Sequence, residues 1–204
     1  MPGDCIKKFE GIMKIAREFK EKYPEVFDIV VYGSTVRGKE HPRDLDIVII
    51  YFGIKRGDER YYSIPFQFRK RLMELGYQRE KLDIKGIDIS ELFDPNFFAS
   101  LGILIEGYSL LKCRFLHELL NGEGHAMFTY KLPNEWDHNT LNKFLHALKG
   151  RDRRSGIIEE LEGRYMSRGV VLIPVWNTEK FKRFLELWGV DYEYSLILKT
   201  SRLM

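Results

Sequence analysis

The sequence predicts an α+β fold, in which helices pack against a β-sheet in each half of the chain. In the first half, apolar runs of strand length over residues 27–32 and 45–52 lie between segments of helical periodicity. In the second half, residues 170–198 have the pattern of a strand, a helix and a strand. With 204 residues and 44% hydrophobic residues, the chain can bury one ordinary core or two small ones.

In the first half, caps and turn residues set the limits of the predicted elements. Asp4 is suited to cap the first helix, and Tyr23-Pro24 ends it. Pro65 is tolerated in the first turn of a later helix, and Gly76 follows its end. The predicted elements are a helix over 5–22, strands over 27–32 and 45–52, a helix over 63–75, a strand over 81–89 and a helix over 94–107.

The second half has a different pattern, and a soft domain boundary is predicted near Leu111, which divides the chain into residues 1–111 and 112–204. A loop or short strand is expected through Phe128 and Tyr130. The other predicted elements are helices over 112–120, 140–148, 157–165 and 178–187, and strands over 170–175 and 192–198.

Asp44 and Asp46 are the strongest candidates for a chemical role. They lie two residues apart at a predicted strand, so their carboxylates point to the same face. Like charges held this close repel each other, and a hard cation such as Mg²⁺ or Mn²⁺ removes that repulsion. Gly33-Ser34, just upstream, allows backbone and a hydroxyl to approach a phosphate. The alternative, a solvated acidic strand edge, is disfavoured because Asp is depleted in apolar strands.

The string GSTVRGKEHPRDLDIVI places nine residues between Gly33-Ser34 and Asp44-Leu45-Asp46. It resembles the DNA polymerase β-like nucleotidyltransferase superfamily, and looks most like its minimal prokaryotic type, over about residues 6–111. Arg43 stands where those proteins usually have Ser or Thr. The resemblance implies a nucleotidyltransferase-like mixed sheet flanked by helices, followed by a smaller α/β or α+β C-terminal domain.

The same resemblance implies a Mg²⁺- or Mn²⁺-dependent transferase. It would move a nucleoside monophosphate, expected to be AMP donated by ATP, to a hydroxyl of an RNA, a protein or a small molecule. Asp44 and Asp46 would hold the metal ions, and Gly33 and Ser34 would position the β- and γ-phosphates. Three cations near the motif are candidate phosphate contacts: Arg37, Lys39 and Arg43.

A third carboxylate on a neighbouring strand is required by the family, and the sequence offers Asp83 and Asp88. They are five residues apart, so on a regular strand they face opposite sides and only one can join the site. Asp88 resembles the version seen in minimal nucleotidyltransferases and is preferred as the catalytic and metal-binding residue. Asp83 fits the distance from the preceding helix better and remains the alternative. If neither joins, the chain binds nucleotide without turning it over.

The net charge of +3 resides in the second half, because residues 1–111 carry equal numbers of acidic and basic side chains. Basic residues interleaved with aromatic ones can bind RNA. The alternative is a solvated basic face with core tryptophans. The residues concerned are Lys149, Arg151, Arg153, Arg154, Arg164 and Arg168, with Trp136, Tyr165 and Trp176.

Composition excludes several classes of protein. Cys5 and Cys113 cannot build a disulfide framework or a Cys-x-x-Cys metal site. No apolar run approaches membrane-spanning length, and no signal-peptide core is evident, so a cytoplasmic location without a membrane partner is expected. Two other functions stay open: a non-catalytic, antitoxin-like nucleotide-binding module, and an RNA-binding protein that works through its second half.

Overall fold

The computed structural model describes residues 2–97, 99–152 and 154–200, with side chains from Phe9 onward. The predicted cap Asp4 and Cys5 therefore lie outside the described side chains. The chain divides into two compact units after Asn121, rather than after residue 111. Residues 108–115 belong to the first unit because they form strands of its sheet.

A five-stranded sheet forms the first unit. Its strands are β1 (Val26–Tyr32), β2 (Leu45–Tyr51), β3 (Leu82–Asp88), β4 (Tyr108–Ser109) and β5 (Arg114–Phe115). Their order is β3-β2-β1-β4-β5, and β3 is therefore an edge strand. The β2 and β3 strands are parallel, whereas the other neighbours are antiparallel. The predicted mixed sheet is confirmed.

Helices cover both faces of this sheet: α1 (Pro2–Lys22), α2 (Arg60–Glu74), α3 (Ser100–Glu106) and α4 (Leu116–Leu119). The α1 and α2 helices meet where the rings of Phe19 and Phe68 lie 5.0 Å apart. Ile103 of α3 packs on the face that carries Val30 and Val48. The β2–α2–β3 crossover brings the two parallel strands together, as parallel pairing requires.

Two predicted helices of the first unit are corrected. The helix expected over 94–107 is reduced to α3, because a 3-10 turn over Ile89–Phe93 precedes it and the chain becomes α-helical only at Ser100. The helix expected over 112–120 is mostly β5 and the short α4. Cys113 has a φ of 55°, and this left-handed residue turns the chain so that β5 can pair with β4.

The second unit contains a four-stranded antiparallel sheet of order β11-β6-β10-β9. Its main elements follow the βαββαβ order of ferredoxin-like folds. The elements are β6 (Gly122–Lys131), α5 (His138–Lys149), β7 (Gly150–Arg151), β8 (Arg154–Ser155), α6 (Ile157–Glu160), β9 (Arg164–Ser167), β10 (Val170–Pro174), α7 (Thr178–Leu187) and β11 (Asp191–Thr200). Its core packs Phe128 of the sheet with Phe144 of α5 and Phe181 of α7.

Two predictions for the second unit are corrected. The helix expected over 157–165 ends at Glu160, and Tyr165 lies in β9. Glu162 has a φ of 58°, and a Cβ on Gly163 would lie 2.6 Å from Ile173 Cδ1, so the chain turns tightly against β10 here. The loop or short strand expected through Phe128 is the ten-residue central strand β6.

Among the described residues, no helix combines the length and the apolarity that crossing a membrane requires.

Candidate active site

Strand register brings three polar side chains together on one face of the first sheet. Antiparallel pairing sets Tyr32 of β1 opposite Asp46 of β2. Parallel pairing sets Asp83 of β3 opposite Asp46 on the other side. Residues in register on neighbouring strands project to the same face, so Tyr32, Asp46 and Asp83 lie side by side. Asp44 immediately precedes β2, and its charge acts on Asp46 as that of Asp83 does, so we call Asp44, Asp46 and Asp83 the acidic cluster.

The charge of this acidic cluster perturbs its members. The pKa of Asp46 is raised to about 6, chiefly by burial and in addition by the negative charges of Asp44 and Asp83. Lys85 and Arg37 act in the opposite direction but do not cancel the effect. Burial also raises the pKa of the Tyr32 phenol, with the nearby carboxylates adding to the shift. Burial and the neighbouring carboxylates therefore both favour the protonated form of Asp46.

Gly33 lies in direct contact with the acidic cluster. It begins the 3-10 turn Gly33–Thr35 with a φ of 76°, which side chains rarely adopt. A Cβ at this position would lie 2.4 Å from Asp46 Oδ2. The turn is also attached to the start of β2, since the Thr35 hydroxyl donates to the Asp44 carbonyl at 3.2 Å. Glycine is therefore required both by the backbone and by the carboxylate beside it.

Glu106, which the sequence analysis did not identify, supports this turn from α3. Its buried Oε1 accepts the Gly33 N–H at 2.9 Å, and its Oε2 forms an ion pair with Arg37 Nη1 at 2.8 Å. The Gly33 backbone was predicted to hold phosphates. Its N–H donates to Glu106 instead, so this group does not face a phosphate site. A lone acidic residue in the apolar segment ASLGILIEG is the sequence signal for such a buried pair.

Asp83 is turned toward a cation in this structure. Its Oδ2 lies 2.8 Å from Lys85 Nζ, and the Asp83 and Lys85 side chains are 40% and 57% exposed. Within residues 2–97, 99–152 and 154–200, no three His, Cys, Asp or Glu side chains are arranged so that they could hold a metal ion as they stand. The acidic cluster is thus assembled by the fold, while one of its members is engaged by Lys85.

The preference for Asp88 over Asp83 is corrected by the strand register. Asp88 pairs with Tyr51, at the opposite end of β2 from Asp46. It also has the opposite parity to Asp83 along β3, so it projects from the other face of the sheet. Its carboxylate caps the next turn, accepting from Gly53 N–H at 2.8 Å and from Ser90 N–H at 3.0 Å. Asp88 therefore has a structural role away from the cluster.

Comparison with known families agrees with this geometry. Residues 12–101 match the sequence model of the family described as nucleotidyltransferase domain. Residues 12–101 form a nucleotidyltransferase domain. The matched span includes the Gly33-Ser34 turn, Asp44 and Asp46, and Asp83 and Asp88 alike, and it confirms the resemblance to the DNA polymerase β-like superfamily. A search of curated proteins found no match.

The other predicted phosphate contacts of the nucleotidyltransferase domain lie around the same turn. Ser34 is half-buried within it, and Lys39 and Arg43 are exposed. Arg37 is held by Glu106, so it stabilises the turn. These positions are compatible with a phosphate near the turn, and the phosphate contacts of Ser34, Arg37, Lys39 and Arg43 remain predictions.

Outside the nucleotidyltransferase domain, the second unit gathers part of the predicted basic cluster. Lys149 Nζ lies 3.5 Å from the ring centroid of Tyr165. Both residues, with Lys131 and Arg168, line a cavity of about 620 Å³. Trp136 instead packs in the core, with its ring centroid 5.3 Å from that of Phe144. Arg153 lies outside the described residues. The cations thus form a local surface, whereas Trp136 is structural.

Gly33→Ala is expected to displace the Asp46 carboxylate and to lower nucleotidyl transfer by about 100-fold, because small misplacements at a reacting centre have effects of this size. Gly76→Ala is the matched control. Gly76 has a φ of 93°, but a Cβ there would meet nothing within 4 Å. Both variants should lose stability from backbone strain, of about 1–2 kcal/mol. Equal transfer by the two variants, measured per folded molecule, would contradict the proposed contact.

Proposed function

We propose that the chain transfers a nucleoside monophosphate to a hydroxyl group in a Mg²⁺- or Mn²⁺-dependent reaction. The expected donor is ATP, and the group transferred is then AMP. One observation carries the proposal: the register that aligns Asp46 with Asp83 beside the Gly33 turn, within a nucleotidyltransferase domain. The acceptor is an RNA, a protein or a small molecule.

The chemistry of the acidic cluster fits a divalent cation. Asp44, Asp46 and Asp83 offer hard carboxylate oxygens, and Mg²⁺ is usually held by one or two carboxylates together with substrate phosphates. The pKa of Asp46 is raised first by burial and then by the charges of Asp44 and Asp83, and a bound cation would favour the ionised carboxylate. When bound, divalent cations would neutralise phosphate charge and make the acceptor hydroxyl more acidic.

The chain's own residues would position the reactants. Ser34, Lys39 and Arg43 would bind the β- and γ-phosphates from the turn side. Asp83, on the edge strand, would accept the proton of the acceptor hydroxyl as its oxygen attacks the α-phosphorus. The bond from the α-phosphorus to the bridging oxygen breaks in line, and pyrophosphate leaves. Arg37 and Glu106 would keep the turn in place without touching the nucleotide.

The direct test uses nucleoside triphosphates labelled at the α-phosphate. The full chain is incubated with each of them, with Mg²⁺ or Mn²⁺, and with RNA, protein and small-molecule acceptors. We expect label to enter one acceptor class, with release of an equal amount of pyrophosphate and a preference for ATP. Label that stays entirely in the triphosphate with every acceptor would refute the transferase.

The raised pKa of Asp46 predicts that the stability of the fold depends on pH. Its pKa is raised from about 3.8 to about 6, so the folded protein binds this proton more tightly than the unfolded chain. The stability contributed by the protonated form is therefore lost as pH rises from about 4 to about 6. Asp46→Asn should raise the Tm at pH 7.5 by about 3–6 °C, a value reduced for solvent screening, and have little effect at pH 4.

Asp58 provides a control of opposite sign, because hydrogen bonds from Arg60 lower its pKa. Asp58→Asn should slightly lower the Tm at pH 7.5. Thermal unfolding in EDTA across pH 4–8 measures both variants. A Tm of Asp46→Asn at or below that of the wild type at pH 7.5 would show that the cluster carries no such repulsion.

One observation favours a second candidate function, nucleotide binding without turnover. The Asp83 carboxylate is engaged by Lys85, and a chain that keeps this ion pair would lack its third carboxylate. Metal-dependent ATP binding by calorimetry, with no pyrophosphate released and a companion protein that co-purifies, would support this antitoxin-like alternative.

A further inference from the structure

A groove of about 510 Å³ lies along the free edge of β3, where α2 passes beside it. We call it the α2–β3 groove. Three cations line it: Arg56, Arg69 and Lys85. Three accessible aromatic rings line it as well: Tyr62, Phe66 and Phe97. None of the described lining residues is acidic, so the groove suits a ligand that is both anionic and planar.

Arg69 indicates that the groove is built for a polar ligand. Its Nη2 donates to the Ile84 carbonyl of the edge strand at 3.3 Å, which anchors the guanidinium against β3. Its Nε is buried and has no hydrogen-bond partner among the described residues. Buried donors are nearly always satisfied in folded proteins, so this nitrogen needs a water molecule or a ligand atom as its acceptor.

Tyr62 and Phe66 supply stacking surfaces. Each is 63% exposed, which is unusual for a large ring on a packed helix. They are four residues apart on α2, so they are neighbours on one helix face. Exposed rings beside cations are the composition of sites that bind single-stranded nucleic acids, where bases stack and phosphates pair with Lys and Arg.

Lys85 connects this groove to the acidic cluster, because it lines the groove and forms the ion pair with Asp83. An exposed ion pair contributes only about 0–1 kcal/mol, so a stronger anion nearby can replace it. A phosphate in the groove would therefore compete with Asp83 for Lys85. Its arrival would release the carboxylate that the transfer reaction needs.

We propose that the α2–β3 groove binds a nucleobase and an adjacent phosphate at the end of a single nucleic-acid strand, and that this phosphate draws Lys85 away from Asp83. The inference rests on the proposed function, since the strand end would supply the acceptor hydroxyl. Arg56 is paired with Glu91 at 2.8 Å and Lys85 with Asp83, both at exposed positions, and a neutral small acceptor would not compete for either cation. An acidic peptide would use the cations but would not require the paired rings of Tyr62 and Phe66.

The binding test uses a fluorescently labelled single-stranded RNA octamer and the full chain, in EDTA and without nucleoside triphosphate. Fluorescence anisotropy should show binding that weakens about tenfold or more in Tyr62→Ala/Phe66→Ala, because each stacked base contributes about 1–3 kcal/mol. Arg56→Ala should also weaken binding. Phe27→Ala and Lys70→Ala, exposed residues that do not line the groove, should bind within about twofold of the wild type.

The Lys85 link has its own readout, the affinity for Mn²⁺ alone measured by calorimetry. Lys85→Gln should bind Mn²⁺ more tightly than the wild type, because Asp83 is no longer engaged. Adding the octamer should tighten Mn²⁺ binding in the wild type and have no such effect in Lys85→Gln. Equal Mn²⁺ affinities of the wild type and Lys85→Gln, each with and without the octamer, would refute the proposed link between Lys85 and Asp83.

Several outcomes would refute binding of nucleic acid by the α2–β3 groove. These are wild-type binding by the aromatic double variant, a loss of binding confined to Lys149→Ala/Arg168→Ala in the second unit, or tighter binding of an acidic peptide than of the octamer. Competition by AMP as strong as that of the octamer would assign the groove to a free nucleotide and also overturn the strand-end proposal. Groove-dependent RNA binding with no transfer from any labelled triphosphate would support the groove while refuting the transferase.

Discussion

Replacing Asp44 and Asp46 together by Ala is expected to reduce nucleotidyl transfer by at least about 10³-fold. Asp46 lies in register with Asp83 and against Gly33, and Asp44 contributes to raising its pKa. Removing both carboxylates removes the residues proposed to hold the divalent cations. The same change relieves like-charge repulsion, so the Tm at neutral pH should not fall.

The measurement follows labelled α-phosphate and pyrophosphate together, with the acceptor that the wild type uses. Asp58→Ala serves as the control, since Asp58 pairs with Arg60 on the surface and lies outside the acidic cluster. The combination of low transfer with an unchanged or higher Tm distinguishes a lost site from a lost fold. Transfer at the wild-type rate in the double variant would rule out the proposed mechanism.

The second large expected effect is a difference between substitutions at Asp83 and at Asp88. Asp83→Asn is expected to reduce transfer by about 100-fold or more, because Asp83 is the proposed proton acceptor. The Tm should change little, because Asp83 is 40% exposed and its ion pair with Lys85 is exposed as well. Asp88→Asn should lower the Tm and leave transfer nearly unchanged. Its two oxygens accept from Gly53 and Ser90, and an amide can accept on only one side. The loss of one such capping bond costs about 1–2 kcal/mol.

Both variants are compared at a temperature well below either Tm, with transfer expressed per folded molecule. Circular dichroism gives the folded fraction. Asp88→Asn should then transfer at close to the wild-type rate. A strong loss of transfer in Asp88→Asn with normal transfer in Asp83→Asn would restore the assignment that the local motif favoured.

Much of the site could be predicted from the sequence because its first part is local. The two-residue repeat of a strand predicted that Asp44 and Asp46 share a face. The strand begins at Leu45, so Asp44 lies just before it, and its charge still acts on Asp46. The Gly33-Ser34 turn directly follows β1, so its place near β2 follows from the short connection. The same repeat established that Asp83 and Asp88 face opposite sides of β3.

The choice between those two carboxylates depended on tertiary structure. It required the register of β3 against β2, which is set by the packing of the intervening helix α2 and not by either strand alone. The contacts of Glu106 and the α2–β3 groove were missed for the same reason. Glu106 reaches Gly33 across 73 positions of the chain, and the groove joins α2 to β3.

The sequence by itself determined the family of the first half, the proximity of Asp44 and Asp46, and the glycine turn beside them, because the motif residues lie within about twenty positions of one another. Only the tertiary structure decided that Asp83 joins them, that Asp88 caps a turn, that Glu106 holds Gly33, and that Lys85 connects the acidic cluster to a cationic, aromatic groove. These relations come from strand pairing and helix packing, in which a shift of one residue in register turns each side chain to the opposite face.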